Sequence, residues 1–213
     1  MSRKDLVDAL IETQGRLCSE RIGADIFRDT PEEMFHWLIG AILLSARRSS
    51  GTAVRAARAL RREGLHRIDA LLEADRTEVV RVLGANGPRR LNESTADVLR
   101  DTAAIVRARF GGDLRKARAN RATLQQLHCA KGLGPLGAEI FAREAQVVWD
   151  ELFPVLGGPA EKAAADLGLP TEAGDLSDLC CNRERYVRLV SALTRVWLEG
   201  ASPEVQEAAG VRA

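Results

Sequence analysis

The stretch Leu127-His128-Cys129-Ala130-Lys131-Gly132-Leu133-Gly134-Pro135-Leu136-Gly137-Ala138 decides how this chain reads. A helical run from Ala122 to His128 leads into two glycines one residue apart, and a second helix starts at once with Pro135. Gly132 and Gly134 tolerate positive φ at little steric cost, so the backbone there is expected to turn tightly and to approach a ligand closely. Pro135 suits the first turn of a helix, where its missing N–H is not needed. The start of that helix carries free amides and a positive dipole end, which together favour phosphate. The plain alternative is an ordinary turn between two helices.

Working outward, the pattern L-x-x-A-x-G-L-G-x-x-x-A resembles the helix-hairpin-helix motif, whose hairpin amides grip one strand of DNA. The rest of the chain bears on that resemblance through composition. At 213 residues it makes one medium domain or two small lobes with a substantial core. Ala, Leu, Arg and Glu dominate, aromatic residues are 4%, and strand-type runs are nearly absent, which predicts an all-α fold. A net charge of +1 excludes a global basic field of the kind that would by itself indicate nucleic acid. Charge is nevertheless uneven. Arg47, Arg48, Arg55, Arg58, Arg61 and Arg62 follow one another with no acid between them, and Arg107, Arg109, Arg115, Lys116, Arg118 and Arg121 form a second basic segment. Either cluster also fits a solvated helix face.

No signal peptide is read before the first helix, and no apolar run approaches the roughly 20 residues that span a bilayer. The expectation is a cytoplasmic, monomeric protein with no membrane partner. Cys18, Cys129, Cys180 and Cys181 lack metal-ligand spacing and read as reduced core or surface residues, so no metal and no cofactor is expected.

In chain order, residues 5–20 carry Leu6, Leu10 and Leu17 at helical spacing, an amphipathic opening helix. Thr30-Pro31-Glu32-Glu33 is a helix start, with Thr30 as N-cap, Pro31 first and the glutamate of a capping box. The run that follows, MFHWLIGAILLSA, is the most apolar of the chain and predicts a buried central helix, with His36 a packed or hydrogen-bonded core residue. It stops in a polar loop at residues 45–51, and residues 52–63 form the next helix with the first arginine cluster. Short helices are predicted over 66–72 and 75–83, the latter with Val79, Val80 and Leu83 inward. Residues 84–90 read as a Gly/Pro/Asn loop ending in Arg89 and Arg90. A long helix over 93–110 should bury Val98, Leu99, Ile105 and Val106 and end at Gly111-Gly112. After the hairpin come a helix from 135 to about 152, a breaker loop PVLGGP at 154–159, helices at 160–168, 172–179 and 183–199, and a loosely held polar tail from Pro203.

Three of these stretches, in order and spacing, resemble the endonuclease III-like HhH-GPD superfamily of base-excision DNA glycosylases over roughly residues 25–170. They are Ala41–Ala46 with its polar loop, Val82-Leu83-Gly84 with the loop and long helix to Gly111-Gly112-Asp113-Leu114, and the hairpin itself. The resemblance implies an all-α, two-lobed fold: a six-helix lobe, residues 25–149, and a second lobe from both chain ends, 1–24 and 150–213. Damaged or mismatched double-stranded DNA would lie across it with the target base flipped out. Lys131, Gly132, Leu133 and Gly134 match the hairpin and would hold backbone phosphates. Arg47, with Arg48 beside it, falls where the family often places a glutamine that fills the vacated base site. An arginine there would stack on bases and reach phosphate. Asn86, Arg89 and Arg90 would press on the opposite strand.

The chemistry positions do not carry over. Bifunctional members of the superfamily have a lysine two residues past the second hairpin glycine, and here that residue is Leu136. The chain's lysines are Lys4, Lys116, Lys131 and Lys162, and Lys131 falls on the other side of the hairpin. Alignment puts Gly157 at the family's aspartate position, with Lys162 at a basic position downstream. Cys180-Cys181 alone cannot hold the iron–sulfur cluster that some members carry. A monofunctional glycosylase needs only a carboxylate to stabilise the developing positive charge and activate water. Glu139 and Asp150 are the candidates, against plainer readings of Glu139 as an i,i+4 surface partner of Arg143 and of Asp150 as an exposed helix-end residue. Three functions follow: a monofunctional DNA glycosylase of base-excision repair, a protein that recognises damaged or distorted DNA without cleaving it, and a helical protein-interaction module. With Leu136 at the lysine position, no AP-lyase activity is expected. Borohydride treatment on abasic DNA should trap no covalent adduct, and a trapped species mapping to any lysine or to the N-terminal amine would contradict this.

Overall fold

In a computed structural model, residues 2–46, 49–84, 89–119 and 133–210 are described, with the backbone alone for 89–92 and 119. These residues form helices and connecting turns, with no strand among them. No helix among them is long and apolar enough to cross a membrane.

The apolar run forms α3 (Pro31–Ser45), buried without interruption from Glu33 to Leu43. Thr30 caps it, its hydroxyl accepting from the Glu33 N–H at 3.3 Å, with Pro31 in the first turn. The capping box is half made. Instead of returning to Thr30, the Glu33 carboxylate accepts from the Asp25 N–H at 2.7 Å and from both terminal nitrogens of Arg61 at 2.8 and 2.9 Å. A bidentate, charge-assisted pair is stronger than a single return bond to a backbone amide. Burial alone would raise the Glu33 carboxyl, but these donors outweigh it and hold it below the usual carboxylate range.

Arg61 belongs to α4 (Ser50–Arg62), which packs on α3 and buries Ala53, Ala56, Ala57 and Leu60. The same guanidinium reaches His36 Nδ1 at 3.1 Å, and His36 Nε2 meets the Ala57 carbonyl at 3.3 Å. A guanidinium only donates and a carbonyl only accepts, so His36 is the neutral tautomer with its proton on Nε2. His36 is thus the packed, hydrogen-bonded residue expected. Beside it, ring centroids 5.3 Å apart, His66 contacts Glu32 at 2.7 Å.

Around this pair lie α2 (Cys18–Ile22), α5 (Ile68–Glu73), α6 (Arg76–Gly84) and α7 (Arg89–Phe110). On α6 the inward residues are Val79, Val82 and Leu83, with Val80 half-buried rather than inside. On α7, Leu99 and Val106 are buried, while Val98 and Ile105 are half-buried. Helix α7 also starts earlier than expected. Arg89 and Arg90 form its first turn instead of ending a loop, in keeping with arginine's good helix propensity. Its end is as read: Gly111 and Gly112 take φ of 62° and 83°, and their N–H groups close on Arg107 and Val106 carbonyls.

By contacts the chain divides into two units, Cys18–Ala142 and Met1–Leu17 with Arg143–Ala213. The divisions fall earlier than the expected 24/25 and 149/150. Helix α2 packs on α3 and α4, and residues 143–149 are tied to the terminal unit by Arg143 donating to Thr194 Oγ1 at 3.0 Å.

In the terminal unit, α11 (Arg183–Glu199) is central, flanked by α1 (Arg3–Gln14), α9 (Gly158–Asp166) and α10 (Ala173–Ser177). The opening helix is shorter than 5–20. It stops at Gly15, where a Cβ would lie 2.4 Å from the Ile11 carbonyl oxygen. Helix α8 (Pro135–Ala145) likewise ends short of 152. Gln146 turns inward, donating to the Arg143 and Val155 carbonyls and accepting the Val155 N–H at 2.7 Å, and this replaces the helical continuation. The tail is not loose: α12 (Pro203–Ala209), capped by Ser202, packs on α1 with Val205 and Ala208 buried.

Burial is the main reason the His36 imidazolium is disfavoured, and its pKa falls to about 4. The unfolded chain therefore binds a proton between pH 6.5 and about 4 that the folded chain does not. Stability should fall as pH drops through that window, by about 2–3 kcal/mol from this residue. His36→Gln keeps an acceptor and a donor but cannot titrate. Urea denaturation at pH 7 and 4.5 should show the wild type losing more stability than the variant. Equal losses would refute the assignment.

Candidate nucleic-acid interface

Within the Cys18–Ala142 unit, three distant stretches meet around one concavity of about 360 Å³. Its walls are Ile42, Ser45 and Ala46 from the end of α3, Ser94, Thr95 and Val98 from α7, and Gly134 to Gly137 from the start of α8. These are parts of, or neighbours to, the three stretches singled out in the sequence.

Two contacts hold α8 against α3. Trp37, fully buried, donates its indole N–H to the Phe141 carbonyl at 3.0 Å. At the other end Gly137 is buried where a Cβ would stand 2.9 Å from Leu133 Cδ1 and 3.2 Å from Ser45 Oγ. Leu133 is itself buried, backbone included. Gly134 is exposed, and a Cβ there would meet nothing within 4 Å. It does not adopt positive φ, contrary to the expected role in the turn. Its carbonyl accepts the Ala138 N–H at 3.0 Å, which makes it the residue that opens α8. The free amides of that first turn are those of Leu136 and Gly137, since Pro135 has none.

Of the other residues read as DNA-binding, Arg47, Arg48, Asn86, Lys131 and Gly132 lie outside the described residues. Arg89 and Arg90 are in the first turn of α7. The catalytic candidates separate. Asp150 is exposed, as its plainer reading had it, but it opens a short 3-10 turn past the end of α8 and pairs with Arg183. Glu139 is half-buried, with Oε1 inaccessible and without a hydrogen-bond partner among the described residues, while Arg143 is turned to Thr194. Leu136 is 50% exposed at the rim of the concavity. Gly157, at the position read as the family's aspartate, has φ +86° at the start of α9, a conformation that a side chain would strain.

Three of the six basic residues of the second segment are paired with acids. Arg107 pairs with Asp69, Arg115 with Asp113 at 2.8 Å, and Arg118 with Asp29 at 3.1 Å. The pairs to Asp69 and Asp29 were legible only in three dimensions, because those acids lie far away in sequence. Cys18 and Cys180 are half-buried and Cys181 is exposed. Burial pushes the Cys180 thiol up to about 11. Among the described residues no group of three or more His, Cys, Asp or Glu side chains could hold a metal ion.

Compared with protein-family models and with curated proteins, the chain matches none.

The tight approach at Gly137 makes the wall testable. Gly137→Val would force its side chain between Leu133 and Ser45, and overpacking of this kind costs about 1–3 kcal/mol. Urea denaturation should report that loss, and an unchanged midpoint would mean that α8 and α3 are not closely packed here.

Proposed function

We propose that this chain binds duplex DNA at damaged or distorted positions, as a protein of base-excision repair type, through the start of α8 and the turns beside it. The observation that carries the reading is the meeting of the α3 end, the early part of α7 and the start of α8 around one concavity. Backbone amides at the opening of an eleven-residue helix suit a phosphate, and Gly134 leaves the approach to them free of side chain.

The reading favours binding over lyase chemistry. Leu136 cannot form a Schiff base, and Gly157 supplies no carboxylate. A monofunctional glycosylase is the second reading, favoured by Glu139 alone. A buried carboxylate oxygen with no partner among the described residues is costly, and such groups serve where a proton or a developing charge is to be met.

Gly134→Asp tests the proposal cleanly. Aspartate is a preferred helix N-cap, so the variant should be as stable as the wild type or slightly more so. Its carboxylate would nevertheless occupy the phosphate position. Fluorescence anisotropy should show affinity for mismatched and perfect duplex lowered together, by tenfold or more for about 1.4 kcal/mol. Unchanged affinity in a folded variant removes this hairpin from DNA binding. A release assay with Glu139→Gln on lesion-bearing oligonucleotides would separate the two readings.

A further inference from the structure

Helix α4 carries an arginine face that the α8 reading does not use. Arg55, Arg58 and Arg62 recur at i, i+3 and i+7, all three are exposed, and none forms an ion pair among the described residues. Arg55 donates only to the neighbouring Thr52 hydroxyl, at 3.1 Å. The chain has 31 basic and 30 acidic residues, and elsewhere arginines meet acids readily, as Arg76 meets Asp97, Arg185 meets Asp8 and Arg188 meets Glu184. Arg55, Arg58 and Arg62 thus present three neighbouring charges on one helix face with no acidic partner among the described residues.

The arginines also enclose space. A concavity of about 660 Å³ lies between α4 and the end of α2, lined by Ile22, Gly23, Arg55, Arg58, Arg61 and Arg62, with no acid in the lining. It shares no residue with the concavity at α8. Gly23, at φ +89°, lies under the Arg61 side chain, where a Cβ would be 3.3 Å from Arg61 Cδ.

The chemistry of this face selects its partner. A guanidinium presents a planar fork of donors that fits phosphate in bidentate fashion. An acidic peptide would also answer the charge, but protein partners are held mainly by buried aromatic and aliphatic anchors, and Ile22 is the sole large apolar side chain of the lining. Spacing points the same way. From Arg55 to Arg62 the helix advances about 10 Å at 1.5 Å per residue. A duplex carries one negative charge per about 1.7 Å of axis, so about six phosphates fall within that span.

We propose that the α4 face binds the sugar–phosphate backbone of a nucleic acid, as a contact separate from the start of α8. The contact is independent of base sequence and adds to affinity through displaced counterions.

The test is the salt dependence of duplex binding by fluorescence anisotropy, for the wild type and two triple variants. Arg55→Gln with Arg58→Gln and Arg62→Gln should flatten the slope of log affinity against log salt by about 2.7, or about 0.9 for each phosphate no longer neutralised. The three Arg→Lys changes together should keep the slope, since charge is retained. Because these side chains are exposed and unpaired, both variants should fold, as circular dichroism would show. Arg58→Gln alone, with a change of about 0.9, replaces the triple variant should it fail to fold. An unchanged slope in the Gln variant, or an equally flattened one in the Lys variant, overturns the proposal. So does a wild type that binds polyglutamate but no duplex, the outcome expected of an acidic protein partner. Gly134→Asp run in parallel keeps the two binding surfaces apart. If it abolishes binding while the Gln variant keeps the wild-type slope, the α8 reading stands and this one fails. The reverse result leaves α4 as the DNA-binding surface and removes the hairpin.

Discussion

The Arg61 guanidinium, shared between Glu33 and His36, is the interaction on which the helical unit depends. Helix α3 is buried along nearly its whole length, yet two of its inward side chains are polar. Arg61 is partly exposed, but the Glu33 carboxylate is buried, and a buried carboxylate without a partner is strongly destabilising. Glu33 therefore needs a cation, and α4 supplies it at one position along its length. That requirement sets the rotation of α4. With Arg61 turned to α3 and Ala53, Ala56, Ala57 and Leu60 packed, Arg55, Arg58 and Arg62 have nowhere to go but solvent.

A similar dependence governs the concavity at α8. Trp37 lies one residue beyond His36 on α3, and its indole N–H reaches across to the Phe141 carbonyl. The helix that satisfies its polar groups on α4 thus also holds α8, and Gly137 allows the first turn of α8 to close on Ser45. Ser45, Ala46, Gly134 and Leu136, which line the concavity, stand at the ends of these packed helices. A rigid base beneath surface turns is the usual way to present binding groups.

The chemistry follows from what the packed elements present. Leu136 stands exposed at the rim of the concavity, and Gly157 adopts a backbone conformation that disfavours a side chain. Asp150 is engaged by Arg183. Glu139 is left with a carboxylate oxygen that has no partner among the described residues. The proposed binding does not call on these side chains, and the alternative hydrolytic proposal would rest on Glu139 alone.

The sequence by itself determined the helical class, the buried helix after Thr30-Pro31, the glycine stop at 111–112 and the start of a helix at Pro135. Each rests on local rules: apolar periodicity, capping hydroxyls, the φ freedom of glycine and the fixed φ of proline. What it misread was decided by contacts between distant residues. Nothing local indicates that Glu33 abandons Thr30 for Arg61, that Gln146 ends α8 by binding Val155, or that the polar tail folds against α1. The two arginine clusters differ in sequence only by Asp113, which lies within the second. Tertiary structure separates them further, because Asp69 and Asp29 come within reach of the second, while the face of α4 between Arg55 and Arg62 meets no acid among the described residues.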